Sequence, residues 1–327
     1  MKKWTLIFAV VFVVSAIAFG ISVAAYGVTW GEYGGLVPYY SESVPTGEQM
    51  PVQESELSTD FDNLTVSIVS ANTTIKYADV DKVLVRYETG NASTTVDAQF
   101  VGDTLEIKEN VEFFISILGG SWRKSTLEIT LPKNMEIDRF KYNAVSGNVS
   151  VEGLTADEIE LNSVSGDMKL GLFAEKIKVN TVSGRVTVAN CTDDVCEKLE
   201  ISSTSGDYDI SGFHTEKFSI DTTSGSYNLE KMSGECEINA TSGDIDVQFD
   251  EWNGDVRINL MSGDVRLIVP EGSGADIRFD GLSGSVKADL DGKSTSVSIG
   301  GSTTVGGSNV HKVDVDATSG SVKIENR

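Results

Sequence analysis

The feature that most constrains this chain is a recurring Asn-x-x-Ser-Gly step followed by alternating apolar residues. It reads NAVSGNVSV at residues 143–151, NSVSGDMKL at 162–170 and NTVSGRVTV at 180–188. Glycines in this context are Gly147, Gly166, Gly184, Gly206, Gly225, Gly243, Gly263, Gly284 and Gly320. Their spacings are 19, 18, 22, 19, 18, 20, 21 and 36 residues, the last being two periods of eighteen. A period near twenty whose flanks stay in phase marks a stack of repeated units.

The flanks do stay in phase. Two and four residues after the glycine stand pairs such as Val149 and Val151, Met168 and Leu170, and Val186 and Val188. Seven and five residues before it stand Ile159 and Leu161, Ile177 and Val179, and Phe218 and Ile220. Strict alternation sends one set of side chains inward and the other outward on a strand. Each unit is therefore strand, Ser-Gly corner, strand and polar turn. Ile220 is expected inside, with Ile201 and Ile238 above and below it, and Thr222 is expected to begin the corner. Cys236 falls in an inward slot as a small buried hydrophobe.

Four residues before the glycine lies a column of small polar groups: Asn143, Asn162, Asn180, Ser202, Asp221, Asn239, Asn259, Asp280 and Asp316. Asparagines stacked at the strand spacing hydrogen-bond to one another, and glycine supplies a positive φ at little cost. A meander in which Ser-Gly turns a hairpin and Leu161 faces Leu170 is the competing topology. It gives no reason for the asparagine column. The reading is all-β, a parallel β-solenoid.

Composition agrees: 32 Gly and only 5 Pro suit a turn-rich β protein. With 49 acidic against 26 basic residues the net charge is -23, which excludes nucleic acid as a partner and disfavours an anionic lipid surface.

Lys2 and Lys3 precede an uncharged stretch, residues 4–25, long enough at about 33 Å to cross a bilayer core. Residues 1–27 are expected to be a transmembrane anchor or uncleaved signal, although Ser22-Val23-Ala24 leaves cleavage open. The next basic residue is Lys76, so the N-terminus is expected in the cytoplasm and the remainder outside the cell membrane. Residues 28–57 read as a juxtamembrane linker and 58–327 as the β domain. Within it, 58–139 are expected to form irregular strands and a cap, and 140–327 regular coils.

The run of I-x-V-x-x-x-SG-x-V-x-V units, led by a strand ending in Leu131-Pro132 and closed by DATSGSVKIE, resembles the bacterial putative-adhesin family of unknown function. The resemblance covers residues 58–327. It implies a right-handed β-helix-like envelope domain, often with an N-terminal anchor and in some relatives linked to envelope stress. It brings no catalytic motif.

Several residues offer chemistry. Asp207 and Asp209 could stack near Asp244 and Asp246, and such a cluster would suit a cation with oxygen ligands. Aspartate after glycine is also ordinary turn chemistry, so no metal site is assigned. Cys191 and Cys196 are close enough in sequence for a local bridge or for two free thiols. His214 and His311 lie in turn-like sequence and are expected at the surface. Ser121 to Lys124 matches S-x-x-K without its companion motifs. VEFFISILGGSW, residues 111–122, is expected to cap the first coil, the alternative being a partner or membrane contact.

The sequence thus describes a single-pass, membrane-anchored, extracytoplasmic protein that binds, adheres or scaffolds. No catalytic, cofactor-binding or metal residue is assigned, no cofactor is expected, and the ligand (glycan, cell wall or protein) stays open. The alternatives are an envelope-stress regulator acting on a membrane partner and, more remotely, a carbohydrate-active enzyme.

Overall fold

The computed structural model describes residues 52–89, 94–111, 125–133, 135–298 and 300–327. The expected membrane-crossing stretch, the S-x-x-K tetrad and all of the apolar 111–122 stretch except the backbone of Val111 lie outside these residues. Among the described residues no helix is long and apolar enough to cross a membrane, and every regular element is a strand.

The chain begins with β1 (Val52–Leu57), β2 (Asn63–Ile68), β3 (Asn72–Ala78), β4 (Val83–Glu88), β5 (Thr94–Val101), β6 (Thr104–Val111) and β7 (Thr126–Pro132). Then come β8 (Ile137–Ala144), β9 (Val149–Ser163), β10 (Met168–Thr181), β11 (Arg185–Asn190), β12 (Cys196–Ser203) and β13 (Asp207–Ser211). The series continues with β14 (His214–Thr222), β15 (Ser226–Ala240), β16 (Asp244–Phe249), β17 (Val256–Leu260) and β18 (Asp264–Val269). It closes with β19 (Ser273–Gly281), β20 (Ser285–Leu290), β21 (Lys293–Val297), β22 (Gly301–Gly306), β23 (Asn309–Ala317) and β24 (Ser321–Asn326).

Strands before the corner stack in parallel into a leading sheet, and strands after it into a trailing sheet. Three long strands, β9, β10 and β15, run from the trailing sheet of one coil into the leading sheet of the next. Leu161 lies beside Tyr142 and Val179, and Leu170 beside Val151 and Val188, so the hairpin topology is excluded. Ile201, Ile220 and Ile238 form consecutive rungs of the interior, all fully buried, as the alternation predicts.

The corners explain the glycines. Gly166 has φ 120°, and a Cβ built on it would sit 2.1 Å from the carbonyl oxygen of Gly147 in the coil beneath. The column needs glycine twice over, for the left-handed backbone and for backbone-on-backbone contact. The asparagine ladder forms beside it: Asn162 donates to Asn143 at 3.0 Å and Asn180 to Asn162 at 2.8 Å. It stops at Ser202 and resumes where Asn239 donates to Asp221 and Asn259 to Asn239.

Sequence order and stacking order differ at both ends. The coil made by β2 and β3 pairs with β8 and β9 on one side and with β6 and β7 on the other. Segment 58–139, expected as irregular strands and cap, therefore supplies two coils in register with the rest, covered by antiparallel β1, β4 and β5. At the far end, β23 and β24 insert between the β17–β18 coil and the β19–β20 coil. The 36-residue interval is thus no double period. It holds the antiparallel cover strands β21 and β22, followed by a return into the stack.

The return is made of glycine. Gly306 lies beside Gly274 on the outer side of β19, and Val310 lies beside the same residue on the inner side. The chain crosses over the start of β19 between them. A Cβ on Gly307 would meet the carbonyl oxygen of Gly272 at 2.1 Å, so side chains have no room at this crossing.

Candidate functional site: two outer faces and a sealed end

The two outer faces carry charge differently. On the leading sheet charged side chains pair with opposite charges on the same or the neighbouring coil. Arg139 meets Glu158 at 2.9 Å, Lys141 meets Glu160 at 2.8 Å, and Lys217 meets Glu237 at 2.9 Å. Burial alone would raise the Glu160 carboxyl, but Lys141 and Asn162 hold it below its ordinary value. Lys217 likewise holds Glu237 low. This face neutralises itself.

The centre of the trailing sheet does not. Asp207, Asp209, Asp244 and Asp246 are all exposed there, and none makes an ion pair among the described residues. The coil holding Ser226 and Asn228 separates the first two from the second two. Two rungs amount to roughly 9–10 Å, too far for one ion with ligands at about 2.4 Å. The expected stacking of these four carboxylates is therefore corrected to two pairs spaced by a neutral coil. Among the described residues no group of three or more His, Cys, Asp or Glu is placed to hold a metal.

Cys191 and Cys196 are both free. Cys191 lies at the surface, whereas the Cys196 thiol is turned toward the carbonyl of Glu175 at 3.4 Å, and burial pushes it up to about 11. Cys236 is wholly buried in its inward slot, and burial raises its thiol as well. The two histidines make separate contacts. His214 approaches Ser233, and His311 packs against Trp252 with 5.1 Å between ring centroids and its Nε2 buried. His311 is half-buried, so its ring packs on Trp252 while part of the side chain stays at the surface.

Two buried polar clusters were missed from the sequence. Thr222 does not begin an exposed corner: it points inward, accepts a hydrogen bond from the Tyr227 hydroxyl at 2.6 Å and lies 3.1 Å from Ser203. Tyr227 stacks on Tyr208 at 4.7 Å, and Tyr208 reaches Thr181.

The second cluster seals the N-terminal end. Glu109 is 2% exposed, and its Oε2 accepts from the backbone N–H groups of Val69, Ser70 and Ala71 at 2.8, 2.7 and 3.1 Å. Its Oε1 accepts from the Tyr87 hydroxyl at 2.9 Å. In the coils above, the N–H groups equivalent to those of Val69 and Ser70 bond to carbonyls below, as Val145 does to Ile68 and Ser146 to Val69. For the β2–β3 coil the link between the strands beneath, residues 112–124, lies outside the described residues, and among the described ones the Glu109 carboxyl meets these N–H groups.

Comparison with known proteins places this architecture. The family model described as Toastrack DUF4097 matches residues 61–325, and the chain belongs to that family. Among the curated proteins none matches this chain. Solved structures similar to it include a "putative adhesin" from Bacteroides fragilis NCTC 9343, 13% identical, covering 86% of this chain and 98% of that one, with TM-score 0.44. A "putative adhesin" from Parabacteroides distasonis ATCC 8503 is 10% identical over 84% and 97% of the two chains, with TM-score 0.37. A "putative lipid binding protein" from the same organism is 12% identical over 84% and 97%, with TM-score 0.31.

Proposed function

We propose that this toastrack-family chain is a non-catalytic binding or adhesion protein of the bacterial envelope. In this reading residues 1–27 anchor it, residues 28–57 form a linker, and the β domain stands outside the cell membrane. The trailing face is the contact surface. The observation that supports it lies at the centre of the trailing sheet: Asp207, Asp209, Asp244 and Asp246 are exposed and make no ion pair among the described residues, although Arg185 and Arg266 are rung neighbours of Asp207 and Asp246. Carboxylates without an ion pair can meet a ligand without first breaking one. A hydroxyl-rich or cationic ligand suits such a surface.

The test uses cells displaying the full chain on immobilised cell-wall polysaccharide and on a basic protein matrix. Replacing Asp207, Asp209, Asp244 and Asp246 together by Asn should abolish retention, while Lys141→Gln with Glu160→Gln should leave it intact. Equal retention by both variants would move the site off the trailing face. No retention by the parent chain on either surface would favour the regulatory reading.

A further inference from the structure

We propose that β22 is a docking edge that pairs, antiparallel, with β22 of a second copy of this chain. The two ends of the stack expose their edges differently. β22 is paired with β19 along one side, and among the described residues no strand pairs with its other side. An open strand edge is a template for another strand, and proteins blunt such edges with charge or proline. The edges at the opposite end, β1 and β5, are blunted in this way. β1 carries Glu54 and Glu56, which pair with Arg86 and Lys82, and β5 carries Asp97. β22 reads Gly-Ser-Thr-Thr-Val-Gly and holds neither charge nor proline. It is a fixed strand, because Val305 is buried and Thr304 donates to Asp276 at 3.2 Å.

Charge selects the occupant. Two copies of a chain with net charge -23 repel each other over most of their surface. Residues 292–313 hold no Asp or Glu, the longest acid-free run of the β domain, and β21 and β22 lie within it. The β22 edge is therefore where two copies meet without setting carboxylate against carboxylate. Leu282, in the corner that follows β19, is the most exposed large apolar side chain among the described residues, so the same end also offers apolar surface to a partner. A two-fold axis normal to the sheet closes the joint, each strand meeting the same strand. Residues opposite one another in an antiparallel pair share a face, so the register sets one central residue, Thr303 or Thr304, against its own copy. The exposed Ser302 and Thr304 then lie beside their counterparts across the joint. The trailing-face aspartates take no part, so the joint stands or falls separately from the ligand-binding reading.

The test co-expresses two differently tagged full-length chains, purifies through one tag in mild detergent and probes for the other. The parent chains should be recovered together. Ser302→Lys with Thr304→Lys in both chains sets like charges across the joint and should lower recovery of the second tag about tenfold or more. Ser302→Glu with Thr304→Glu in both chains should do the same. Combining the lysine chain with the glutamate chain should restore recovery, which a folding defect would not do. Absence of the second tag from the parent preparation overturns the proposal, including the case in which a strand of a different protein holds the edge. A lysine pair recovered as well as the parent overturns it too, because the contact then lies elsewhere. So does failure of the mixed pair to recover, because opposite charges facing each other across the joint should attract.

Discussion

The two ends of the stack solve one problem in different ways. Corner N–H groups all point toward the N-terminal end, from Val145 bonding to Ile68 up to Leu282 bonding to Ala317. The stacked corners therefore behave like the end amides of a helix, with donors bare at one terminus and acceptors at the other. At the donor end an anion is called for, and Glu109 supplies it from inside the coil. At the acceptor end the last corner is open to solvent, which can meet its carbonyls. Leu282, in that corner, is 81% exposed. Buried N–H groups are the costlier ones to leave unmet, so the sealed end is the donor end.

The largest expected effect breaks the comparison at the acceptor end. Removing residues 309–327 strips both neighbours of their pairing and empties four large inward positions. At about 1.5–3 kcal/mol per buried aliphatic side chain, the loss is on the order of 6–12 kcal/mol. Limited proteolysis should then cut within 256–306 first. Removing β1, an exposed strand that among the described residues pairs only with β4, should leave the protease pattern of the coils unchanged. Similar damage from the two truncations would mean that the ends do not differ as described.

Next comes the corner column between the ends. Gly166→Ala must place a Cβ at φ 120° against the Gly147 carbonyl, costing about 4 kcal/mol from backbone strain and overpacking together. The equivalent residue of the β2–β3 coil is already Ala71, whose N–H bonds to Glu109. Ala71→Gly should cost only about 0.5–1 kcal/mol of backbone entropy. Urea midpoints of the two variants measure the difference. Equal shifts would show that stacking does not dictate glycine.

Glu109→Ala leaves the three N–H groups of Val69, Ser70 and Ala71 unmet in a buried site. The expected loss is about 3 kcal/mol or more, with Glu109→Gln losing less because an amide oxygen still accepts. Thermal melting should rank the parent first, the glutamine variant second and the alanine variant last. If alanine and glutamine melt alike, Glu109 acts by filling space and the donor end has some other cap.

How far the sequence reveals this molecule depends on which interactions leave a period. The alternation around Ile201, Ile220 and Ile238 does, because a two-residue repeat must match the pleat, and the corner glycines do, because each stacks on the last. Stacking order leaves none. The Val313-to-Ile324 coil has the same pattern as its neighbours, so nothing in it says that it enters between two earlier coils. Glu109 did leave a trace: Leu105 and Ile107 are inward, which puts a glutamate in the next inward slot. Thr222 could have been placed by the same counting from Phe218 and Ile220. Exposed aspartates on the trailing face carry no spacing signal beyond ordinary turn chemistry, and only the register shows that Ser226 and Asn228 part them.

The smallest expected effect asks whether the two ends communicate through the asparagine column. From the donor end the ladder runs to Asn180, whose Oδ1 is buried without a partner, and a second ladder starts at Asp221. Burial raises the Asp221 carboxyl above its ordinary value. A folded-state pKa above the unfolded one means that the native state binds the proton more tightly. Ionised Asp221 therefore weakens the fold at neutral pH, and the penalty is relieved as pH falls through its raised value. Ser202→Asn with Asp221→Asn joins the two ladders, gives Asn180 a donor and removes the buried charge. The gain should be about 1 kcal/mol at pH 7, the scale of one net hydrogen bond. Its margin over the parent should narrow on acidification, when the parent's carboxyl takes up its proton. Hydrogen exchange at the corner amides should slow on both sides of the joint if the column couples the ends. Slowing confined to residues 199–223 would show that each end is stabilised independently of the other.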